Sequence, residues 1–174
     1  MTDSQLITKM INILFVCLGN ICRSPIAEGT FRELVKKRGL QDKISCDSAG
    51  TAGYHIGSLP DQRTIKNAEK HGIKLTHRGR KLSVADLDTF DHIVVMDEAN
   101  FKDVNELYYK TTKKTPSADK LFLLRDHDPA IRGISEVPDP YYESEPFFED
   151  VFQIVWRSNE ALLEHLIEKH HFVA

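Results

Sequence analysis

A near-continuous apolar run at 11–16, Ile-Asn-Ile-Leu-Phe-Val, leads at once into a short loop and then into a helical pattern opening at Pro25. No other feature constrains the fold as much. A strand with apolar residues at successive positions is buried on both faces, which places it inside a parallel sheet covered by helices. Downstream, Ile26, Ala27, Phe31, Leu34 and Val35 recur at helical spacing. The expected stop is Lys36-Lys37-Arg38-Gly39, where cations meet the negative dipole end and a glycine ends the helix.

The alternation repeats. Residues 44–48 read as a short second strand, followed by a loop at 49–57 that carries three glycines. A second helix is expected from Pro60 to Gly72, and a helical turn at 82–87. The third strand is expected at 90–96, with Asp97 capping a helix that reaches about Tyr108. A polar loop at 110–119 leads to a fourth strand at 121–124. The segment 125–145, with Pro129, Pro138 and Pro140, reads as a long functional loop. The last helix begins near Pro146 and carries an apolar stripe from Phe148 to Ile167 by way of Val155 and Leu163. The whole, 1–174, reads as one α/β domain with parallel pairing, preceded by a frayed extension at 1–9. Ligands of such sheets sit beyond the carboxyl ends of the strands.

Composition narrows the function classes. A net charge of −3 from 26 acidic and 23 basic residues does not suggest nucleic-acid or membrane-surface binding. No signal peptide or membrane-length apolar stretch is evident, so no membrane insertion is expected. Cys17, Cys22 and Cys46 read as reduced thiols of a cytoplasmic enzyme. No metal-ligand spacing occurs, His170-His171 reads as helix C-terminal charge, and neither a metal nor a cofactor is expected.

The chemistry concentrates in Cys17-Leu18-Gly19-Asn20-Ile21-Cys22-Arg23-Ser24, at the turn from strand to helix. Backbone N–H groups of such a loop can surround a dianion, and the helix N-terminus adds its positive dipole end. The same field favours thiolate, so Cys17 is expected to ionise well below the free value of roughly 8.5. Arg23 offers a planar fork for two phosphate oxygens. Gly19 allows close backbone approach or a positive φ. Ser24 can cap the helix and donate its hydroxyl toward sulfur. Cleavage of an ester by Cys17 also needs a proton for the leaving oxygen, and Asp139 in Val137-Pro138-Asp139-Pro140-Tyr141-Tyr142 is the candidate. Its flanking prolines fix the backbone and remove competing donors.

The loop resembles the signature C-x-G-N-x-C-R-S of the low-molecular-weight protein tyrosine phosphatases, and residues 139–141 resemble that family's Asp-Pro-Tyr loop. The resemblance spans about residues 10–168. It implies a three-layer α/β sandwich on a four-stranded parallel sheet of order 2-1-3-4. It further implies hydrolysis of phosphotyrosine in proteins through a cysteinyl-phosphate, with Cys17 as nucleophile, Arg23 as phosphate clamp and Asp139 as general acid and then base. Leu18, Gly19, Asn20, Ile21, Cys22 and Ser24 would bind phosphate. Asn20 would also hold the strained loop, with Ser24, Ser48 and His77 as a polar network beneath it. Asp97 would pair with the loop or simply cap its helix, and Tyr54, Tyr141 and Tyr142 would line the substrate pocket. Cys22 would form a reversible disulfide with Cys17 under oxidant. Activity is expected to peak below neutral pH, because Cys17 must be ionised while Asp139 is protonated. The expected partner is a phosphotyrosine protein and the expected state a monomer or weak dimer. Where the family usually continues with Gly after the tyrosines, this chain has Glu143; the lysine-rich loop at 110–120 is a further departure.

Three other readings compete. Arsenate reduction on the same fold needs further cysteines downstream, and nothing after Cys46 is cysteine. Phosphoarginine phosphatases of the family tend to carry Thr where this chain has Ile21, whose apolar side chain suits an aryl phosphate better. A non-catalytic phosphate-binding module would have no use for Asp139.

Overall fold

The computed structural model describes residues 9–131, 133 and 135–173. Four strands, β1 (Ile11–Cys17), β2 (Ile44–Gly50), β3 (His92–Val95) and β4 (Leu121–Leu123), form one sheet in the order β2-β1-β3-β4. Every pairing is parallel. The helices are α1 (Arg23–Lys37), α2 (Gln62–Lys70), α3 (Val84–Thr89), α4 (Glu98–Thr112) and α5 (Glu145–His170). Among the described residues no helix is long and apolar enough to cross a membrane.

Strand β1 explains the three layers. Ile11, Ile13, Phe15 and Cys17 point into a core shared with α1 and α5, whereas Leu14 and Val16 point into a second core against α3 and α4. Phe15 meets Phe31 of α1 edge to face, with centroids 5.4 Å apart. Fully burying one such ring contributes about 2–3 kcal/mol. Because β2 and β3 lie on opposite sides of β1, the chain departs in different directions from its carboxyl end. That divergence opens a crevice at Cys17.

Several boundaries differ from the sequence reading for local reasons. Helix α1 starts at Arg23 rather than Pro25, so the proline occupies its first turn, where no intrahelical N–H is missed. The cap position is Cys22, without a side-chain cap, so Ser24 does not cap the helix. β2 runs on to Gly50, because the start of the supposed loop still pairs with β1 up to Cys17. α2 begins at Gln62, where Asp61 accepts from the Arg63 backbone N–H; Pro60 precedes that cap. β3 is shorter than 90–96, since Phe90 N–H returns to Asp86 O at the end of α3. α4 extends to Thr112, beyond Tyr108, with the Thr111 and Thr112 hydroxyls donating to carbonyls one turn back. Leu124 leaves the edge strand and opens a 3₁₀ turn, Leu124–His127, within the expected loop. The expected extension at 1–9 lies outside the described residues except for Lys9, whose ammonium pairs with Asp91 at 3.1 Å.

Candidate active site

Cys17, the last residue of β1, lies at the base of a cleft of about 210 Å³. Leu18, Gly19, Ile21, Cys22 and Arg23 form its floor, and Tyr54, His55, Asp139, Tyr141 and Tyr142 its walls. That volume is below the roughly 300 Å³ at which sites for drug-sized ligands begin, so it suits one ring and one phosphate. Asn20 and Ser24 do not line the cleft; their side chains lie beneath it. With no side-chain cap at Cys22, the first N–H groups of α1 are left for a ligand.

The sulfur is wired from below. Asn20 N–H donates to Sγ at 3.3 Å, and Ser24 Oγ lies 3.0 Å from it. Asn20 Nδ2 donates to Ser24 Oγ at 2.8 Å and to Ser48 Oγ at 3.0 Å. The Ser24 oxygen is therefore an acceptor, which leaves its proton free for the sulfur. The Ser48 hydroxyl in turn donates to Glu28 Oε1 at 2.8 Å. The amide orientation of Asn20 is fixed by the Arg80 backbone N–H, which can only donate and meets Oδ1 at 3.0 Å. His77 Nε2, 2.7 Å from the same oxygen, must donate as well. Its Nδ1 faces Glu28 Oε1 at 3.1 Å and Asp47 Oδ1 at 3.4 Å.

Both ring nitrogens of His77 thus donate, as an imidazolium does. Burial pulls its pKa down, but the bonds to Asp47 and Glu28 outweigh that and carry it to about 9. Burial pushes Asp47 up, yet His77, the Ser48 N–H and Arg80 bring it down to about 2. Glu28, Asp47 and His77 have the spacing of a metal site, but a doubly donating imidazole offers no lone pair, so the cluster fits an ion pair better. The His77 side chain is 9% exposed.

The whole frame holds one strained residue. Asn20 has φ 56°, in the left-handed region, which costs an L-residue about 1–2 kcal/mol. Of the two uses expected of Gly19, close approach or a positive φ, the positive φ falls at Asn20 instead. Gly19 answers to crowding: a Cβ there would lie 3.2 Å from the His55 ring. On the other side, a Cβ on Gly50 would come within 2.7 Å of Leu18 O, where Thr51 and Ala52 N–H groups bind the carbonyls of Cys17 and Leu18.

Arg23 is 3% exposed. Its Nη1 donates to Asp97 Oδ2 at 2.6 Å and to Val137 O at 3.1 Å, and its Nη2 lies 3.6 Å from Asp139 Oδ2. Asp97 serves both roles foreseen for it, since its other oxygen caps α4 through the Asn100 N–H. The Asp139 side chain is 45% exposed and accepts the Tyr141 N–H at 3.1 Å. Tyr54 and Tyr142 stand out at the rim, 75% and 91% exposed. Burial, with Asp61 nearby, pushes the Cys22 thiol up to about 12.

Sequence reasoning missed Glu28, Asp47, His55 and the pair Asp61–Arg63. Glu28 had left a signal: it lies one turn after Ser24, an acid among the apolar residues of α1, and is 4% exposed.

A thiol at the end of a parallel strand, wrapped by a loop that opens a helix and flanked by a buried arginine, defines a class of cysteine-based phosphate-handling α/β proteins. The comparisons narrow it. The family described as low molecular weight phosphotyrosine protein phosphatase matches residues 12–171. The human low molecular weight phosphotyrosine protein phosphatase is 43% identical over 153 residues, 88% of this chain and 94% of that protein. A protein tyrosine phosphatase from Entamoeba histolytica, crystallised with Hepes in its active site, superposes with a TM-score of 0.83 at 35% identity, covering 91% of this chain and 98% of that one. An arginine phosphatase from Drosophila superposes at 0.81 with 33% identity over 88% and 96% of the two chains. The chain belongs to the low molecular weight phosphotyrosine protein phosphatase family.

Proposed function

We propose that this protein hydrolyses phosphotyrosine in proteins through a phosphocysteine. Cys17 Sγ attacks phosphorus opposite the ester oxygen; the S–P bond forms as the P–O bond breaks, and Asp139 gives its proton to the departing phenolate. The Asp139 carboxylate then takes a proton from water, whose oxygen attacks phosphorus; the S–P bond breaks, and inorganic phosphate and thiolate remain. The Arg23 guanidinium and the backbone N–H groups of Leu18, Gly19, Ile21, Cys22 and Arg23 hold the equatorial oxygens throughout. The carrying observation is the meeting of Cys17, Arg23 and Asp139, from separate segments, in one cleft with tyrosines on its walls.

The arginine phosphatase among the structural relatives makes phosphoarginine the alternative substrate. Ile21 on the cleft floor, with Tyr54 and Tyr141 on its walls, favours the aryl ester, whose ring these side chains can face. A thiol that must stay reduced fits a cytoplasmic location, and the reading takes the enzyme as a single domain, monomeric or weakly dimeric. Rapid-quench turnover of ³²P-labelled phosphotyrosine peptide should leave label on Cys17, with phosphoarginine peptide turned over far more slowly. An unlabelled thiol refutes the mechanism, and a preference for phosphoarginine refutes the substrate.

A further inference from the structure

The nucleophile loop meets the segment carrying Asp139 through Arg23, which reaches Val137 O and Asp139, and both are tied as well to the first turn of α2. The Asp61 backbone N–H donates to Ile21 O at 2.8 Å, inside the nucleophile loop. The Asp61 carboxylate takes both the backbone N–H and the Nε of Arg63 through Oδ1, at 2.9 and 3.0 Å, and Nη2 through Oδ2 at 2.9 Å. So fixed, the guanidinium reaches across the cleft rim to the acid segment. Nη2 donates to Tyr141 O at 2.9 Å and Nη1 to Glu143 O at 3.0 Å. Its plane lies over the Phe148 ring, 4.5 Å from the centroid, at the start of α5.

Before the acid the segment is anchored at Val137, whose N–H donates to Met96 O at 2.8 Å and whose carbonyl accepts from Arg23 at 3.1 Å; beyond the acid the backbone has little but Arg63. Tyr141 N–H bonds the Asp139 carboxylate itself, and Glu143 N–H closes a turn on Pro140 O. Asp139 is flanked by prolines, which supply no N–H to a neighbour. Carbonyl acceptors two and four residues beyond the acid are therefore the handles by which the turn can be held, and one side chain takes both.

We propose that Arg63, braced by Asp61, is a positioning residue that sets Asp139 over the leaving-group oxygen by clasping the carbonyls of Tyr141 and Glu143. It touches neither phosphate nor sulfur. A guanidinium is required, because the side chain makes four bonds at once, two to the Asp61 carboxylate and one to each carbonyl, and an ammonium has only three N–H donors. Losing the clasp leaves the phosphate site intact and loosens only the acid, so the loss should grow with the basicity of the leaving group.

This inference rests on Asp139 as general acid, and the test separates the two. The observable is kcat/KM for phenyl phosphate, a poor leaving group, against p-nitrophenyl phosphate, a good one. Asp139→Asn should lower the phenyl ester by about a hundredfold or more and the nitrophenyl ester much less. If it does not discriminate, the general-acid reading fails, whatever Arg63 does. Arg63→Met should lower the phenyl ester by roughly tenfold and the nitrophenyl ester less than about threefold, with inhibition by inorganic phosphate unchanged within about twofold. Placed on Asp139→Asn, it should add nothing further to the discrimination, since both act through one proton. Arg63→Lys, which keeps charge and stem, should show the same signature more weakly and serves if the methionine variant does not fold. Equal losses on both esters, no loss on either, or weakened phosphate inhibition would overturn the proposal.

Discussion

The nucleophile loop and the acid segment face each other across one cleft and are built in opposite ways. Around Cys17 nearly every polar atom is committed: Asn20 alone engages Ser24, Ser48, His77, Arg80 and the sulfur. The residues concerned are buried or nearly so. Across the cleft, Asp139 is half exposed, and its neighbours Tyr141 and Tyr142 lie at the rim. The contrast follows from what each side does. Donors that meet a phosphate dianion act best when they need no rearrangement, which demands a rigid frame. A proton donor that serves ester and then water must leave room for a substrate ring to enter and depart.

The largest effect expected of this contrast comes from its rigid side. Cys17→Ser should lower turnover by about 10⁴-fold or more, because an alcohol is a far poorer nucleophile than a thiolate at the same place. Its circular dichroism should match the parent; retention of even a hundredth of the activity would remove Cys17 from the mechanism.

Asn20→Ala strikes the frame instead. It leaves His77 Nε2 and the Arg80 N–H without their acceptor and keeps a left-handed backbone without the side chain that compensates it. A loss of about 3 kcal/mol in chemical denaturation is expected. kcat/KM should also fall by roughly a hundredfold, as for a misplaced catalytic group. A variant as stable and active as the parent would show that the loop keeps its shape without this wiring.

The charged base of the frame sets a pH window. The folded pKa of His77, about 9, lies above the ordinary 6.5, so its contribution is complete below pH 6.5 and is lost as pH rises through about 9. Asp47 is depressed from 3.8 to about 2, so its contribution is present above pH 3.8 and is lost as pH falls through about 2. The melting temperature of the parent should therefore decline between pH 7 and 10 more steeply than that of His77→Gln, which has no proton to lose. Parallel curves would mean that the imidazolium is not the group responsible.

The smallest effect is expected on the open side. Tyr142 meets Tyr141 edge to face with centroids 4.9 Å apart, but is otherwise in solvent. Tyr142→Ala should shift stability by less than about 0.5 kcal/mol. Only KM for aryl phosphates should move, and a substantial unfolding of the variant would show the rim to be more tightly packed than its exposure suggests.

Much of this was legible in the chain because it is written in neighbouring residues. A buried strand, a loop of set length and a helix start are contiguous, so Cys17 and Arg23 declared themselves together, and the prolines around Asp139 marked it out of an otherwise plain loop. Periodicity, with proline, cap and glycine signals, also located every strand and α-helix among the described residues to within a few residues, though not the 3₁₀ turn at Leu124–His127. Their limits moved where a tertiary bond overrode local preference, as when β2 went on pairing to Gly50 and α2 waited for its cap at Asp61.

What only the assembled molecule decided is which distant polar atoms meet. Glu28 and His77, Arg23 and Asp97, and Arg63 with the carbonyls beyond Asp139 come from segments with no local pattern in common. Their contact depends on strand order and on how the helices cross the sheet. Hydrophobic spacing specifies which face of an element is buried, because burial is non-directional and repeats with the helix or strand. Hydrogen bonds are directional and short, so their partners are set only once packing has brought two chain segments to within about 3 Å.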